Sequence, residues 1–472
     1  MSELALPKPT APEICGPAGK QSRMAGWQGG PSALRLRKLG YSSADQVLAI
    51  GGMFVVNLAL ARAGSREEYG IFTLSYSVFT FLAGLYNAAL LEAYTIYGSG
   101  RYHGSLRAYE KLLWRANAWF STGLTALLLS VWLALHWLFP ALASPALLGM
   151  GLTCGALLTA SFRRRTFYIQ RRPDLALRYS SVFFAACVGL LALAMRLGWL
   201  NGLSAFVIAA LAWGVAALFT GRDKAGRDKA AGDEAGETVA GDASDFLADI
   251  PDYWREHWKY SRWVLVTALV FQFTGQAYFW VVAAFLSLKD VAELRAMYNL
   301  VQPVEQGFVA ITLLVLPQMA LHFAAGEPEK LRRMWQQCSL AFAGISSVFA
   351  LIVGAGGLRW LHLLYGSKFD EAAPLLRWYV LLPMVMGLGH AANAALKATE
   401  RPKAVFQAYL TSGATTFVLG VPLVMRWGVR GAVFGMLLSA AGYAAATGFS
   451  LCRSIRAASN RQQLVNACNG DA

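Results

Sequence analysis

The residues that could do chemistry in this chain are polar side chains set deep inside long apolar runs. Asn87 and Glu92 occupy one run, Asn299, Gln302, Glu305, Gln306 and Gln318 a second, and Arg377, His390, Asn393 and Lys397 a third. An ionisable group at the centre of a lipid-embedded helix costs roughly 2.5–3.5 kcal/mol on insertion scales, so each must face a water-filled cavity or a partner, or reach the interface. Long side chains near span ends, Lys397, Arg178, Arg115 and Arg262, can reach it by snorkelling. Glu305 has no such route: its side chain is short and its position is well inside the run, which makes it a candidate coupling or gating group that changes protonation during a cycle. Glu92 and His390 are the next candidates. Pro303, two residues before Glu305, removes a backbone donor and clashes one turn back, so a kink or break is expected there. Broken helices bearing polar groups at mid-membrane are a transporter device. Pro317 could act in the same way.

No nucleotide-hydrolysing, metalloprotease or serine-hydrolase signature accompanies these residues: GxxxxGK[ST], HExxH and GxSxG are absent. Gly149 and Gly151 lie inside an apolar run with no strand before them, and Gly431 and Gly435 have small-xxx-small spacing, so both pairs read as close helix contacts. The six cysteines are scattered without CxxC or Cys/His spacing, which points to free thiols and no metal site. No cofactor is implied.

The elements that must position these side chains are helices. Hydrophobic residues make up 56% of the chain and charged ones only 15%, against about 25% charged in ordinary soluble domains. The apolar residues come in Leu/Ala/Val-rich runs of roughly 20 residues, which indicates spanning helices and excludes a barrel's alternation. About twelve spans are expected, near 43–63, 70–97, 113–139, 145–162, 179–195, 203–220, 263–286, 296–323, 334–363, 373–395, 404–425 and 431–452. The stretch GRDKAGRDKAAGDEAGETVAGDASDFLAD, with its doubled GRDKA unit, has too little apolar surface to build a core and reads as a flexible polar linker between similar halves. The chain then divides into a flexible tail (1–42), an N-lobe of helices 1–6 (43–220), a charged linker (221–258), a C-lobe of helices 7–12 (259–455) and a C-terminal tail (456–472). A faint repeat pairs the start of the second span with that of the eighth, Phe72 with Tyr298 and Glu92 with Gln318, as parallel repeats would.

Charge sets the expected orientation. With both termini and the linker in the cytoplasm, roughly 32 of the 42 Lys and Arg residues fall inside, as the positive-inside rule requires of an even number of spans. Arg62, Arg66, Lys289, Arg295 and Lys368 are among the few outside. This bias explains the net charge of +15 without nucleic acid. The N-terminal tail lacks the apolar core of a cleavable signal, so the first span is expected to direct membrane insertion. Trp254, Trp258, Tyr260 and Trp263, beside Arg255, Lys259 and Arg262, read as an interfacial belt entering the seventh helix.

Four segments carry a family resemblance. ALARAGSREEYGIFTLSYSV, LLYGSKFDEAAPLLRWYVLLP, ALKATERPKAVFQAY and WGVRGAVFGMLLSAAGY resemble the polysaccharide and lipid-linked oligosaccharide exporters of the MOP flippase superfamily. The charged linker departs from that family's shorter connection. The resemblance implies an all-α integral membrane protein of two six-helix lobes in a MATE-like V around a central cavity. It also implies alternating access that exports a polyprenyl-diphosphate-linked glycan across the bacterial inner membrane, with membrane lipids and the polysaccharide polymerase and export machinery as partners. Cavity cations would bind the diphosphate; the candidates are Arg178, Arg262, Arg377 and Lys397. Glu92, Pro303, Glu305 and His390 are the coupling and gating candidates. One rival is a cation-coupled small-molecule exporter of the same superfamily, which needs deep N-lobe acids, where only Asp45 and Glu92 are available. The other is a membrane glycan polymerase or ligase, which needs a large outside loop, and every outside loop is short.

Overall fold

Backbone amides in lipid must be satisfied within their own segment, and the chain answers with helices. The computed structural model describes residues 33–99, 106–232, 242–399 and 401–470. The N-lobe holds α1 (Ala33–Ala63), α2 (Arg66–Tyr86), a π-helical turn (Asn87–Leu91), α3 (Glu92–Ser99), α4 (Leu106–Leu138), α5 (Pro145–Ile169), α6 (Pro173–Leu197) and α7 (Gly202–Gly232). The C-lobe holds α8 (Asp242–Phe285), α9 (Leu288–Ala324), α10 (Pro328–Ala355), α11 (Gly357–Tyr365), a 3₁₀ stretch (Gly366–Ala372), α12 (Ala373–Tyr379), α13 (Leu382–Ala398), α14 (Pro402–Thr415), a second π-helical turn (Thr416–Gly420) and α15 (Val421–Gly470).

Among the described residues nine helices are long and apolar enough to cross a membrane, or ten when the pair bent by 42° between Tyr379 and Leu382 is one span. Two features bring this to twelve. Gly428, at φ 61°, divides the long α14–α15 run into two passes. The α9 helix, 37 residues long, is long enough to span, and its Asp, Glu, Lys and Arg residues all lie in its first half, between Lys289 and Glu305. The backbone is helical into the polar linker from both sides, to Gly232 and from Asp242, and 233–241 lie outside the described residues.

Local chemistry sets the helix ends. Ser65 and Ser287 cap α2 and α9, the latter in a reciprocal capping box with Asp290. These caps pair Ser65 with Ser287, about one helical turn from the register that matches Phe72 with Tyr298. Two sequence expectations are corrected. The α9 helix runs unbroken through Pro303, so of the expected kink or break the break is absent. Its flanks are held by α2 and α13, and one lost hydrogen bond is tolerated when a helix is supported by neighbours. The ninth span ends at Ala355 rather than near 363, because Gly356 and Gly357 stop it and α11 begins the bent tenth span. The glycine contacts are borne out: a Cβ on Gly149 would meet the Leu203 backbone at 2.8 Å, and one on Gly435 the Tyr278 hydroxyl at 2.7 Å.

The core shows how the lobes meet. One large cluster joins them at the end away from the linker, packing Tyr69, Phe72 and Phe206 with Leu294, Met297, Tyr365 and Tyr379. Toward the linker the core separates in two, one cluster around Tyr94, Tyr109 and Phe162 in the N-lobe and one around Phe308, Phe342 and Leu396 in the C-lobe. The lobes therefore form a V that opens toward the linker end.

Candidate functional site

A cavity of about 1700 Å³ fills the V. The N-lobe contributes Asn87, Glu92 and Tyr97 from α2, its π-helical turn and α3. The C-lobe contributes Gln272, Thr312, His390, Asn393, Lys397 and Tyr409, and the first half of α8 contributes Arg255, Glu256, Lys259, Tyr260 and Trp263. The π-helical turn aims the N-lobe residues. Such a turn leaves a carbonyl without its usual partner, and Ala89 O accepts from His257 Nε2 at 2.9 Å. His257 Nδ1 accepts from the Tyr109 hydroxyl at 2.7 Å, so both ring nitrogens are used and the α8 entry is pinned to the N-lobe. Asn87 Oδ1 accepts from Arg165 Nη2 at 3.1 Å. On the opposite wall Asn393 donates to the Tyr409 hydroxyl at 3.3 Å, and Tyr409 stacks on Tyr443 at 5.2 Å.

The cavity's charge is unbalanced. Arg255, Lys259, Lys397 and Lys403 line it against only Glu92 and Glu256. The cations come from α8, α13 and the start of α14, while Glu92 faces Lys397 from the other lobe. Deeper walls are apolar and aromatic, with Phe271, Val309 and Leu316 among polar Gln272 and Thr312. A site of this kind can hold an anionic headgroup near its mouth and a polar, stackable body above it.

Lys397, Glu92 and His390 thus line the cavity. The other candidates stand elsewhere in this conformation. Arg178 is exposed on α6, Arg262 is exposed on α8 with its guanidinium 5.8 Å from the Trp263 ring, and Arg377 is exposed in the last turn of α12. Pro303 is exposed on α9, and Glu305 lies above the cavity roof, accepting from the Tyr298 hydroxyl at 3.5 Å. Sequence reasoning set Arg255 and Lys259 aside as an interfacial belt and did not single out Lys403. Their helical spacing with Trp263 was the available signal for a shared face.

Two further constellations shape the site. Asp45 is fully buried and bound by Arg164, whose Nε and Nη2 reach its carboxylate at 2.9 and 2.7 Å, with Tyr168 and Ser180 donating as well. It is a satisfied structural group in the N-lobe. At the end away from the linker the lobes are latched. Arg66 pairs with Glu371 at 3.2 Å, Lys289 with Glu67 at 3.0 Å, and Lys368 Nζ donates to Arg62 O and Gly64 O at 2.7 and 2.6 Å. Beneath them Asn299 donates to the Tyr69 hydroxyl at 2.8 Å.

Two packed helical lobes, a cavity open at one end and a latch at the other define a multi-pass membrane protein with a transporter fold. That fold is the one shared by MATE transporters of the MOP superfamily. An inward-facing multidrug resistance MATE transporter is similar with a TM-score of 0.69 and 12% identity, covering 90% of this chain and 99% of its own. An outward-facing MATE transporter gives 0.60 at 12% identity, covering 90% and 96%. A MOP superfamily transporter from Pyrococcus furiosus gives 0.60 at 11% identity with the same coverage, 90% and 96%. No family model and no curated protein matches the sequence.

Proposed function

We propose that the protein is a flippase that exports a polyprenyl-diphosphate-linked oligosaccharide across the bacterial inner membrane by alternating access. The observation that carries this reading is the cavity's excess of cations, Arg255, Lys259, Lys397 and Lys403 against Glu92 and Glu256, drawn largely from the C-lobe. Arginine and lysine pair with phosphate oxygens in charge-assisted hydrogen bonds. The aromatic and amide groups beside them suit a sugar, and the volume accommodates several rings. With the linker and both termini cytoplasmic, as the Lys and Arg distribution supports, the conformation described here faces inward; labelling of Cys468 in the C-terminal tail by an impermeant reagent in intact cells would contradict that orientation.

The test is export of the glycan by cells carrying Lys397→Ala, Lys259→Ala or Arg255→Ala. Each is expected to reduce export at normal membrane abundance, while Arg178→Ala, Arg262→Ala and Arg377→Ala separate cavity cations from interfacial ones. Unchanged export in all three cavity variants sinks the reading.

A cation-coupled multidrug exporter is the second reading, because MATE structures include multidrug resistance transporters. Against it stand the net positive cavity and the engagement of Asp45 by Arg164. The neighbour from Pyrococcus furiosus is described as having a binding pocket of reverse polarity and a different function, which supports treating pocket charge as the discriminating feature.

A further inference from the structure

Arg295 lies in α9 at the seam where the lobes are closed, and no residue touching it lines the cavity. It is only 4% exposed and its Nε has no hydrogen-bond partner. Among the described residues no carboxylate pairs with it. Three aromatic rings enclose it instead: Tyr76 at 5.0 Å, Tyr298 at 5.1 Å and Phe279 at 5.7 Å from the guanidinium carbon. Tyr76 belongs to the N-lobe, and the other two to the C-lobe. Thr73 Oγ1, Tyr379 OH and Asn299 Oδ1 are also buried without partners, one turn away along α2, across on α12 and one turn away along α9. The Tyr69 hydroxyl, on the N-lobe, also lies within hydrogen-bonding reach of the guanidinium. Glu305 touches the far side of the cage through the Tyr298 hydroxyl.

Taking a cation out of water without a counter-charge is costly, and ring faces return only part of that cost. The cage is therefore an incomplete environment for Arg295. When the lobes part at this end, Tyr76 leaves with the N-lobe, while the guanidinium, the Asn299 amide and the Tyr379 hydroxyl stay together on the C-lobe. A planar fork of donors beside a phenol and an amide matches a phosphate group.

We propose that Arg295 is a second anion site, closed by Tyr76 in this conformation and presented when the lobes separate at the latched end, and that it takes a phosphate or diphosphate group there. The step from this site to substrate release rests on the transport reading; the site itself does not. An anion that binds only the separated form stabilises that form by its differential affinity. A headgroup leaving Lys397 and Lys259 at one end of the V would then meet Arg295 at the other.

The test uses the full-length protein in lipid nanodiscs and inorganic pyrophosphate in titration calorimetry. The latch is weakened by Lys368→Met, which removes the ammonium that donates to Arg62 O and Gly64 O and lies outside both anion sites. The latch-weakened protein is expected to show a pyrophosphate site at least tenfold tighter than any second site of the parent. Adding Arg295→Gln abolishes that gain and leaves the Lys397-dependent site in place. Arg295→Lys keeps the charge but not the fork, so if the glutamine variant fails to fold, the lysine variant is expected to bind several-fold more weakly than the latch-weakened protein. Equal pyrophosphate binding with and without the Arg295 substitution overturns the proposal. A missing Lys397-dependent site beside an intact Arg295-dependent one would instead refute the transport reading and leave this site standing.

Discussion

Lys368→Met should release the closed end of the molecule. Its ammonium bridges the lobes by donating to Arg62 O and Gly64 O at 2.7 and 2.6 Å. Hydrogen bonds to charged groups contribute about 1.5–3 kcal/mol when well shielded. Lys368 is half-buried, so solvent reduces the two bonds together to about 1.5 kcal/mol. The neighbouring pairs Arg66–Glu371 and Lys289–Glu67 are more exposed, so solvent screens them further. Lys368 is thus the largest polar contributor to the latch, and methionine keeps its stem packing while removing the charge. Losing about 1.5 kcal/mol shifts the closed-to-open ratio roughly tenfold. Spin labels at Ala63→Cys and Ser367→Cys, on facing lobes, would report it in a background lacking Cys15, Cys452 and Cys468. The parent should show mainly the short distance, and Lys368→Met a long-distance population about ten times larger. An unchanged distance distribution would refute the assignment of the latch to this lysine. A comparable shift from Glu371→Ala alone would show that the exposed pair, not the lysine, holds the lobes.

Two further outcomes are expected. Asp45→Asn or Arg164→Ala alone should destabilise the N-lobe by about 3–5 kcal/mol, since each leaves a buried partner uncompensated, whereas Asp45→Leu with Arg164→Met should recover most of that loss in thermal unfolding; equal destabilisation by the double variant would mean the pair serves more than mutual neutralisation. Glu305→Gln keeps size and hydrogen bonding with Tyr298 but fixes the group neutral, and a coupling role requires normal accumulation with lost export or a lost pH dependence of export. Export equal to the parent at every pH makes Glu305 a packing residue.

How much of this was legible beforehand is clearest residue by residue. Lys397, Glu92 and His390 were singled out because charge and imidazole in an apolar run need water or a partner, and all three line the cavity. Lys368 and Arg295 were passed over as outside cations. Nothing in their spacing distinguishes a lysine that bridges lobes, or an arginine enclosed by three rings, from one standing in water. At Pro303 the local rule allows a kink or a break, and neighbours on both sides of α9 hold the helix unbroken through it.

By itself the sequence determined the class of the protein. Run length, low charge density and the polar linker require spanning helices in two halves, because lipid offers no other way to satisfy a backbone. Helix starts at Ser65 and Ser287 were likewise written locally. The rotation of each helix was not. In a membrane the lipid-facing side is as apolar as the packed side, so hydropathy does not say which face is buried. Only the tertiary structure decided that α8 turns Arg255 and Lys259 toward the same space as Lys397, that Asp45 is spent on Arg164, and that the lobes separate at the linker end while meeting at the other. Those outcomes follow from packing between distant residues, within a lobe for Asp45 and Arg164 and between lobes for Tyr69 and Asn299.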